Sequence, residues 1–302
     1  MAETDSSNAA EAGVHLRLLW PQWQGAGSAS IRTFTPGFPF DVARRGYAVG
    51  SAILEAILPP HHGPTATAPV ALTDEGLELR DGIEAKEAIL KQLAGALDTI
   101  REHSPARITT LGGECAVSVA PFSELASRYR DDLAILWIDS HPDVGTPKSQ
   151  YPGFHAMAVA ALIGHGDPDV LELLPANVAP ERVALVGLHA WTDDDFPNIG
   201  EWGLTTFSPD VLRDSAQPLL DWLSSTGCSR VAIHFDVDTI DENEIGLGLG
   251  NEPGGLTSAE VRRIVTEVNE AADVVALTIA EYFPRDAIRL QQIVSGFPLI
   301  SG

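Results

Sequence analysis

Short apolar runs rich in valine and isoleucine alternate along the chain with longer stretches of mixed polarity. Apolar runs of about four to eight residues are typical of strands buried in a parallel sheet. Such runs predict strands at Arg107–Leu111, Leu133–Ile138, Arg182–Leu188, Arg230–Phe235 and Val274–Ile279. Weaker candidates, which bring the sheet to about eight strands, are His15–Trp20, Ala66–Leu72 and Gly203–Phe207.

The intervening stretches have the apolar spacing of amphipathic helices. The clearest are Ile83–His103, Ala116–Arg130, Pro209–Ser225 and Ser258–Ala271. Thr257 and Glu260 have the spacing of a capping box at the start of the last helix. Strands that alternate with helices predict a three-layer α/β/α fold with a mostly parallel sheet, in which ligands bind at the carboxyl ends of the strands.

The whole chain fits one domain. Its 302 residues, 44% of them hydrophobic, are enough to bury one large core. The small, polar and acidic residues at the start predict a disordered tail over residues 1–12, followed by a single domain over 13–302. They lack the pattern of a signal peptide, and no apolar stretch reaches the about 18 residues of a membrane span.

The composition is strongly acidic, with 42 acidic and 19 basic residues and a formal net charge of −23. Such a surface repels a phosphate backbone, so nucleic acid is not an expected partner. It attracts small cations, although a solubilising surface explains the acidity as well. With Cys115 and Cys228 as the only cysteines, no disulfide framework is predicted, and a cytoplasmic location is expected.

Two of the predicted strands end in metal-ligand side chains at alternate positions. These side chains are Asp139, His141 and Asp143 after one strand, and Asp236 and Asp238 after the other. Alternation aims side chains to one side of an extended strand. Carboxylates crowded in this way repel one another unless cations neutralise them, so the pattern predicts a metal site.

Oxygen-rich ligation with one or two nitrogens favours Mn²⁺ or a similar ion over structural zinc. One divalent ion would not neutralise all of these carboxylates, so we expect two, and two ions that share a carboxylate can activate water. The alternative is that the carboxylates only form turns and helix caps. The repetition of the motif after two apolar strands favours the metal site and predicts a hydrolase.

Six ordered motifs resemble those of the ureohydrolase family, which includes arginase, agmatinase, guanidinobutyrase and formimidoylglutamase. They are LGGEC (111–115), DSHPD (139–143), GFHAM (153–157), FDVDTID (235–241), PGGL (253–256) and AEYFP (280–284). The resemblance implies an arginase-like fold and a metal-dependent hydrolase of a guanidinium or amidine C–N bond. It also implies a small cationic guanidino or amidine substrate and a homo-oligomer, either a trimer or a hexamer.

The resemblance assigns a metal ligand to each matching position. Asp139 and Asp236 would bridge two Mn²⁺ ions. Asp143 would complete the first ion, and His141 with Asp238 would complete the second.

The resemblance also implies catalytic roles. His155 would protonate the leaving amine, Glu281 would hold the substrate guanidinium, and Asp238 would help to orient the charges. A core histidine and a strand-end salt bridge are the alternatives for His155 and Glu281. In the loop between the motifs, Lys148 and Ser149 are candidates to bind the substrate tail.

Cys115 departs from the family pattern, because GGDHS would supply a histidine ligand to the first metal at this position. A soft thiolate suits the hard Mn²⁺ ion poorly, so we expect a weak first site or a shifted metal preference. Packing as a small buried residue is an equal alternative for Cys115.

The departures also bear on the substrate. Gly145 stands where arginases have asparagine, and HAWTDDD (189–195) lacks the arginase RDxDxxE pattern. We therefore expect agmatinase-like or guanidinobutyrase-like activity rather than strict arginase activity. A cysteine at position 115 resembles the Nω-hydroxyarginine amidinohydrolase branch of the family. The alternative substrate is therefore Nω-hydroxyarginine, which would release hydroxyurea. A metal-poor regulatory homologue without catalytic activity is the alternative from a different functional class. The deacetylase relatives of this fold use a His–His pair, and no such pair lies near the motifs, which argues against them.

Replacement of Cys115 by histidine is expected to raise the occupancy of the first metal position by Mn²⁺, because an imidazole is a better ligand than a thiol for this ion. Elemental analysis of both proteins after loading with Mn²⁺ measures the stoichiometry. Equal stoichiometry in the two proteins would remove Cys115 from any explanation of metal content.

Overall fold

The computed structural model describes residues 13–300, so the tail predicted over residues 1–12 lies outside the described residues. The strands in chain order are β1 (His15–Trp20), β2 (Thr65–Thr67), β3 (Leu79–Arg80), β4 (Ile83–Glu84), β5 (Arg107–Gly112), β6 (Leu133–Ile138), β7 (Val183–Val186), β8 (Thr205–Phe207), β9 (Arg230–Asp236) and β10 (Asp273–Ala280). Within residues 13–300, eight of them form one sheet in the order β2-β1-β5-β10-β9-β6-β7-β8, and β3 pairs with β4 in a small hairpin. Every pairing in the large sheet is parallel.

The helices are α1 (Ser28–Phe34), α2 (Phe40–Ala43), α3 (Gly46–Ile57), α4 (Lys86–His103), α5 (Val119–Tyr129), α6 (Ala158–Leu162), α7 (Pro168–Leu173), α8 (Phe196–Glu201), α9 (Pro209–Leu212), α10 (Gln217–Thr226), α11 (Ser258–Ala271) and α12 (Ala287–Val294). Short 3-10 helices span Cys115–Ser118, Arg130–Asp132, Phe154–Met157, Pro180–Arg182 and Val237–Thr239. In the described part of the chain, none of the helices has the length and apolar content that a membrane span needs.

Two hydrophobic cores lie on opposite faces of the sheet. The first contains residues of α4, α5 and α6, and the second contains residues of α3, α10, α11 and α12. Strand β6 shows how one strand serves both: Ile135 and Trp137 belong to the first core, and Leu136 and Ile138 to the second. This two-residue alternation is why a strand buried on both faces is apolar throughout. The predicted three-layer α/β/α fold is confirmed.

The predicted elements differ from the observed ones where a local residue overrides the apolar pattern. Helix α4 begins at Lys86 rather than Ile83, because Ile83 and Glu84 form β4 and Ala85, which follows it, has a left-handed φ of 60°. The stretch Pro209–Ser225 is divided into α9 and α10, with Pro218 in the first turn of α10. Proline lacks the N–H that a continuous helix requires, but fits a first turn. Strand β2 ends before Pro69 for the same reason.

The four central strands β5, β10, β9 and β6 are neighbours in the sheet and end at the same edge. The register pairs Leu111 with Ile279 and Ala280 with Asp236. The same register pairs Ile138 with Phe235. The segments that follow these strands therefore start side by side, which brings residues that are far apart in sequence to one place.

The capping box at the start of α11 is confirmed and predicts the effect of one substitution. Glu260 N–H donates to Thr257 Oγ1 at 3.2 Å, and Thr257 N–H donates to Glu260 Oε2 at 2.6 Å. Thr257→Ala is expected to lower the free energy of unfolding by about 1 kcal/mol, because it leaves a helix N–H without its acceptor. Urea denaturation measures this change. Thr257→Ser keeps the acceptor and should stay close to the unsubstituted protein, and equal stability of the alanine and serine variants would contradict the assignment.

Candidate metal centre

Five of the six predicted metal ligands, all except Asp143, belong to ligand groups at the carboxyl ends of the four central strands, and Asp143 lines the pocket beside them. Ligand atoms that lie within 4.8 Å of one another form three overlapping groups in the described residues. The groups are Cys115, Asp139, His234 and Asp236; Asp139, His141 and Asp238; and Cys115, His155 and Glu281. Asp139 and Cys115 each belong to two groups, so the three form one continuous site.

Cys115 begins the 3-10 helix that follows β5, and it is buried. Its Sγ donates to Asp236 Oδ2 at 3.2 Å and lies 3.9 Å from Asp139 Oδ2. Burial, with the carboxylates of Asp143 and Asp236, raises the pKa of the thiol well above its usual range. A thiolate at this position therefore requires a cation beside it.

Glu114 fixes the start of this 3-10 helix. Its buried carboxylate accepts hydrogen bonds from the N–H groups of Ala116 at 2.7 Å and Gly25 at 3.2 Å. A Cβ at position 25 would overlap the Glu114 side chain, which is why glycine is needed there. The Gly25 carbonyl in turn accepts a hydrogen bond from the N–H of His155 at 3.2 Å, so Glu114 links the loop that follows β1 to the site.

His141 lies between two carboxylates. Its Nδ1 is 3.2 Å from Asp238 Oδ2 and 3.6 Å from Asp139 Oδ1. Burial alone would lower the pKa of His141, but these two carboxylates raise it well above its usual range. Burial acts to raise the pKa of Asp238, yet His141 and the Ser140 hydroxyl, which donates to Asp238 Oδ1 at 2.6 Å, lower it.

Two of the acids occupy a strained backbone conformation. Asp143 has a φ of 48° and Glu281 a φ of 62°. A left-handed residue other than glycine costs about 1–3 kcal/mol. The carbonyl of Asp143 compensates in part by accepting hydrogen bonds from Val159 and Ala160 at the start of α6. Backbone strain at two neighbouring acids is typical of a functional site, where the required direction of a side chain can impose an unfavourable backbone conformation.

The arrangement fits divalent metal ions. Burial and the neighbouring Asp238 raise the pKa of Asp139 to about 6, and burial with nearby carboxylates raises the pKa values of Asp143 and Asp236 well above their usual range. Asp143 Oδ2 and His234 Nε2 are buried without a hydrogen-bond partner among the described residues. Repelling acids and unsatisfied ligand atoms in one cluster match the needs of a cation site.

His155 forms a second functional arrangement beside the metal ligands. Its Nδ1 is 2.9 Å from Glu281 Oε1, and its Nε2 is 2.7 Å from the hydroxyl of Tyr151. The same hydroxyl accepts a hydrogen bond from the Gly27 N–H at 2.8 Å. Burial would lower the pKa of His155, but Tyr151 and Glu281 raise it well above its usual range. These contacts favour the protonated form of His155, which is the form that can donate a proton.

A pocket of about 220 Å³ opens over these groups. Phe34, Tyr47, Trp191 and Leu249 form its apolar walls, and the carboxylates of Asp195 and Glu252 join the metal-ligand acids in the lining. None of the described residues that line it is a lysine or an arginine. Phe34 and Trp191 are each about half exposed, at 49% and 47%, so aromatic surface meets solvent at the pocket mouth.

The two residues predicted to bind the substrate tail lie outside this lining. Lys148 is exposed and lines a separate hollow with Lys86 and Asp167. Ser149 reaches the pocket through its hydrogen bond to Asp195 Oδ1 at 2.5 Å. Direct substrate contact by either residue stays a prediction.

The contacts that His234, Tyr151 and Glu252 make in the site were not predicted from the sequence, and of these residues only His234 had a clear signal. His234 precedes Asp236 by two positions on β9, so strand alternation places both side chains on the same face. Tyr151 precedes His155 by four positions, but the chain between them is irregular, and only the folded loop brings the hydroxyl to the imidazole.

Comparison with known proteins gives a consistent result. The arginase family model matches residues 36–293. Arginase from Eremothecium gossypii is 29% identical over 191 residues, which cover 60% of this chain and 48% of that protein, so the match spans about half the length of this relative. The structure of Entamoeba histolytica arginase with L-ornithine superposes with a TM-score of 0.73 at 18% identity, covering 94% of this chain and 97% of that one.

Proclavaminate amidinohydrolase from Streptomyces clavuligerus shares the same fold. It has a TM-score of 0.69 at 16% identity, and the match covers 96% of this chain and 91% of that one. The structural likeness thus extends beyond proteins named as arginases.

Metal binding is expected to strengthen as the pH rises between 3.8 and about 6, the usual and shifted pKa values of Asp139. In this window the folded, metal-free protein keeps a proton that the unfolded chain has lost, so its stability falls as the pH rises. A bound cation replaces that proton and removes the loss. Thermal unfolding with and without divalent metal measures the effect: the difference in Tm should widen across this window, and a constant difference would contradict the coupling.

Proposed function

Since the chain belongs to the arginase family, we propose that it hydrolyses a C–N bond of a small guanidino compound and releases urea, or a close analogue, and an amine. The observation that carries the proposal is the convergence of Asp139, Asp143, Asp236 and Asp238 in a buried cluster under a pocket. Such a cluster is unstable without cations and has direct access to a ligand.

The site would hold two divalent ions that share Asp139 and Asp236. Cys115 and Asp143 would complete the first position, and His141 with Asp238 would complete the second; Cys115 lies close to Asp236, and His141 close to Asp238. Bound ions there supply Lewis acidity and lower the pKa of a water molecule toward neutrality. Mn²⁺ as the metal, a trimer or hexamer as the assembly and a cytoplasmic location stay predictions.

Glu281 is suited to orient the substrate. Its carboxylate lies at the end of β10 and already accepts the Cys115 N–H at 3.1 Å. A planar guanidinium presents several N–H donors, which a carboxylate binds with well-defined geometry. The strained φ of Glu281 is the cost of aiming that carboxylate into the pocket.

His155 supplies the proton that the leaving amine needs. With Nδ1 held by Glu281, the proton available for transfer lies at Nε2, beside the Tyr151 hydroxyl. Both Tyr151 and His155 line the pocket. A proton donor of this kind contributes about 10²–10⁴-fold to a hydrolysis rate.

The pocket favours a substrate that carries a second positive charge. Glu252 lines the mouth, with its carboxylate 4.0 Å from His141 Nε2. The Trp191 and Phe34 rings beside it offer faces for cation–π contact. Apart from His141 and His155 at the metal centre, the described lining residues carry acidic groups and no lysine or arginine, so a carboxylate tail at the mouth would have no such cation to pair with. Agmatine has the required amine tail, whereas arginine, guanidinobutyrate and Nω-hydroxyarginine carry carboxylates.

The substrate preference is tested with metal-loaded protein by release of urea from agmatine, guanidinobutyrate and arginine, of hydroxyurea from Nω-hydroxyarginine and of formamide from formiminoglutamate. Agmatine is expected to have the highest kcat/KM. Glu252→Gln is expected to raise the KM for agmatine about fivefold, because one exposed ion pair contributes about 1 kcal/mol. Its kcat should change little.

Glu242→Gln is the matched control, since Glu242 is an exposed acid on the same loop and does not line the pocket. Both variants change the net charge equally, so an equal effect on KM would assign the preference to the overall field. Faster turnover of Nω-hydroxyarginine than of agmatine would overturn the substrate class. Failure of all five compounds in metal-loaded protein would favour a regulatory homologue.

A further inference from the structure

His234 is a fully buried histidine in the middle of the sheet. It lies on β9 in register with Trp137 on β6. The two rings stack with centroids 3.6 Å apart and an angle of 5° between their planes. Its Nδ1 lies 2.8 Å from the Ser118 hydroxyl. The ring is therefore fixed in position by contacts on its face and at one nitrogen.

The other nitrogen of His234 has no such partner. Its Nε2 is buried and makes no hydrogen bond to any residue in the range 13–300. The nearest carboxylate, Asp139, has its Oδ2 at 3.9 Å, beyond hydrogen-bond distance. Buried polar atoms in folded proteins are nearly always paired, so an unpaired imidazole nitrogen calls for a missing partner. Asp139, Asp236 and Cys115 all offer ligand atoms that lie within 4.8 Å of a ring nitrogen of His234 and of one another.

We propose that His234 Nε2 is a ligand of the first metal position, together with Cys115 Sγ and the carboxylates of Asp139 and Asp236. The inference rests on the metal centre of the proposed function and adds a ligand to it. Cys115 stands where the family pattern has a histidine, and His234 would supply an imidazole to the same ion from β9, two strands away from β5 in the sheet. The first position is then a complete site of altered chemistry rather than a weakened one.

The surroundings of His234 are those of a metal-binding imidazole. Ligand histidines usually donate the N–H of their second nitrogen to a neighbouring acceptor, which fixes the tautomer and the ring orientation. The Ser118 hydroxyl is in place to accept from Nδ1–H, and this tautomer leaves the lone pair on Nε2 directed at the cluster. Trp137 adds a second constraint, because it stacks on His234 while its indole N–H donates to Asp139 Oδ2 at 3.0 Å.

The ligand set predicts the metal preference of this position. A thiolate, an imidazole and the three carboxylates of Asp139, Asp143 and Asp236 form a mixed set that is softer than the oxygen-rich sites of Mn²⁺. Such a set suits Zn²⁺ or Co²⁺, which bind cysteine and histidine together. The second position has carboxylate ligands and one imidazole, from His141, but no thiolate. The two positions should therefore prefer different metal ions.

The test uses metal-free, full-length protein titrated separately with Co²⁺, Zn²⁺ and Mn²⁺. Competition with a chromophoric chelator gives affinities, and the near-ultraviolet sulfur-to-cobalt charge-transfer band reports the position that contains Cys115. The unsubstituted protein is expected to show this band and to bind the first Co²⁺ or Zn²⁺ at least about tenfold more tightly than Mn²⁺. His234→Gln is expected to weaken the band-forming Co²⁺ site at least about tenfold.

His15→Gln is the matched control. His15 is a half-buried histidine at the start of β1, and its Nε2 bonds to Thr109 Oγ1 at 2.8 Å, so it lies away from the strand ends that form the site. This variant should bind Co²⁺ as the unsubstituted protein does. Cys115→Ser should lose the charge-transfer band but keep Co²⁺ binding at the second position.

A measurement without substitution at His234 covers the case in which His234→Gln does not fold. In protein with ¹⁵N-labelled histidine, addition of Zn²⁺ should shift the Nε2 resonance of His234, and Ser118→Ala should weaken the same site by removing the acceptor of Nδ1–H. An unshifted resonance, or unchanged Co²⁺ affinity and band in His234→Gln, would overturn the inference while leaving the proposed function intact. Absence of metal binding in the unsubstituted protein would overturn both.

Discussion

The mutual repulsion of buried carboxylates is the constraint on which the rest of this structure depends. Asp139, Asp143, Asp236 and Asp238 are all at most 5% exposed, and burial with neighbouring charges raises the pKa values of the first three. A fold gains nothing from such a group by itself, since an ionised carboxylate loses its hydration when it is buried. The cost is acceptable only where a cation enters the cluster, so metal binding and stability of the native state are linked.

Much of the fold could be predicted from sequence, because a buried parallel strand leaves an apolar run that few other elements produce. Strands β1 and β6 and helix α11 begin and end where the apolar pattern places them. The boundaries that were wrong depend on single residues with special backbone needs. Ala85 in a left-handed conformation and Pro218 in a first turn set where helices α4 and α10 begin. Neither residue changes the spacing of apolar positions, so hydrophobic periodicity does not predict these boundaries.

Site residues that directly follow a strand could be predicted from the sequence. Site residues that are brought together only by contacts between strands could not. Asp139 and Asp236 were found because each follows an apolar run, and parallel strands end at one edge. His234 lies inside such an apolar run, and a single polar residue there does not by itself indicate a metal ligand. Its role emerges only when β6 and β9 are paired, since Trp137 on the neighbouring strand holds its ring and Asp139 lies near its free nitrogen.

Cys115 and His234 also show why ligands of one ion should be considered together. Their atoms belong to the same group, so the effect of a change at one depends on what stands at the other. Judged alone, a cysteine in place of a histidine suggests a damaged site. Paired with a buried imidazole on β9, two strands away from β5 in the sheet, the same cysteine indicates a site suited to a softer ion. The pocket above it carries negative charge of its own, because Glu252 lines it and is not among the metal-ligand groups of the described residues.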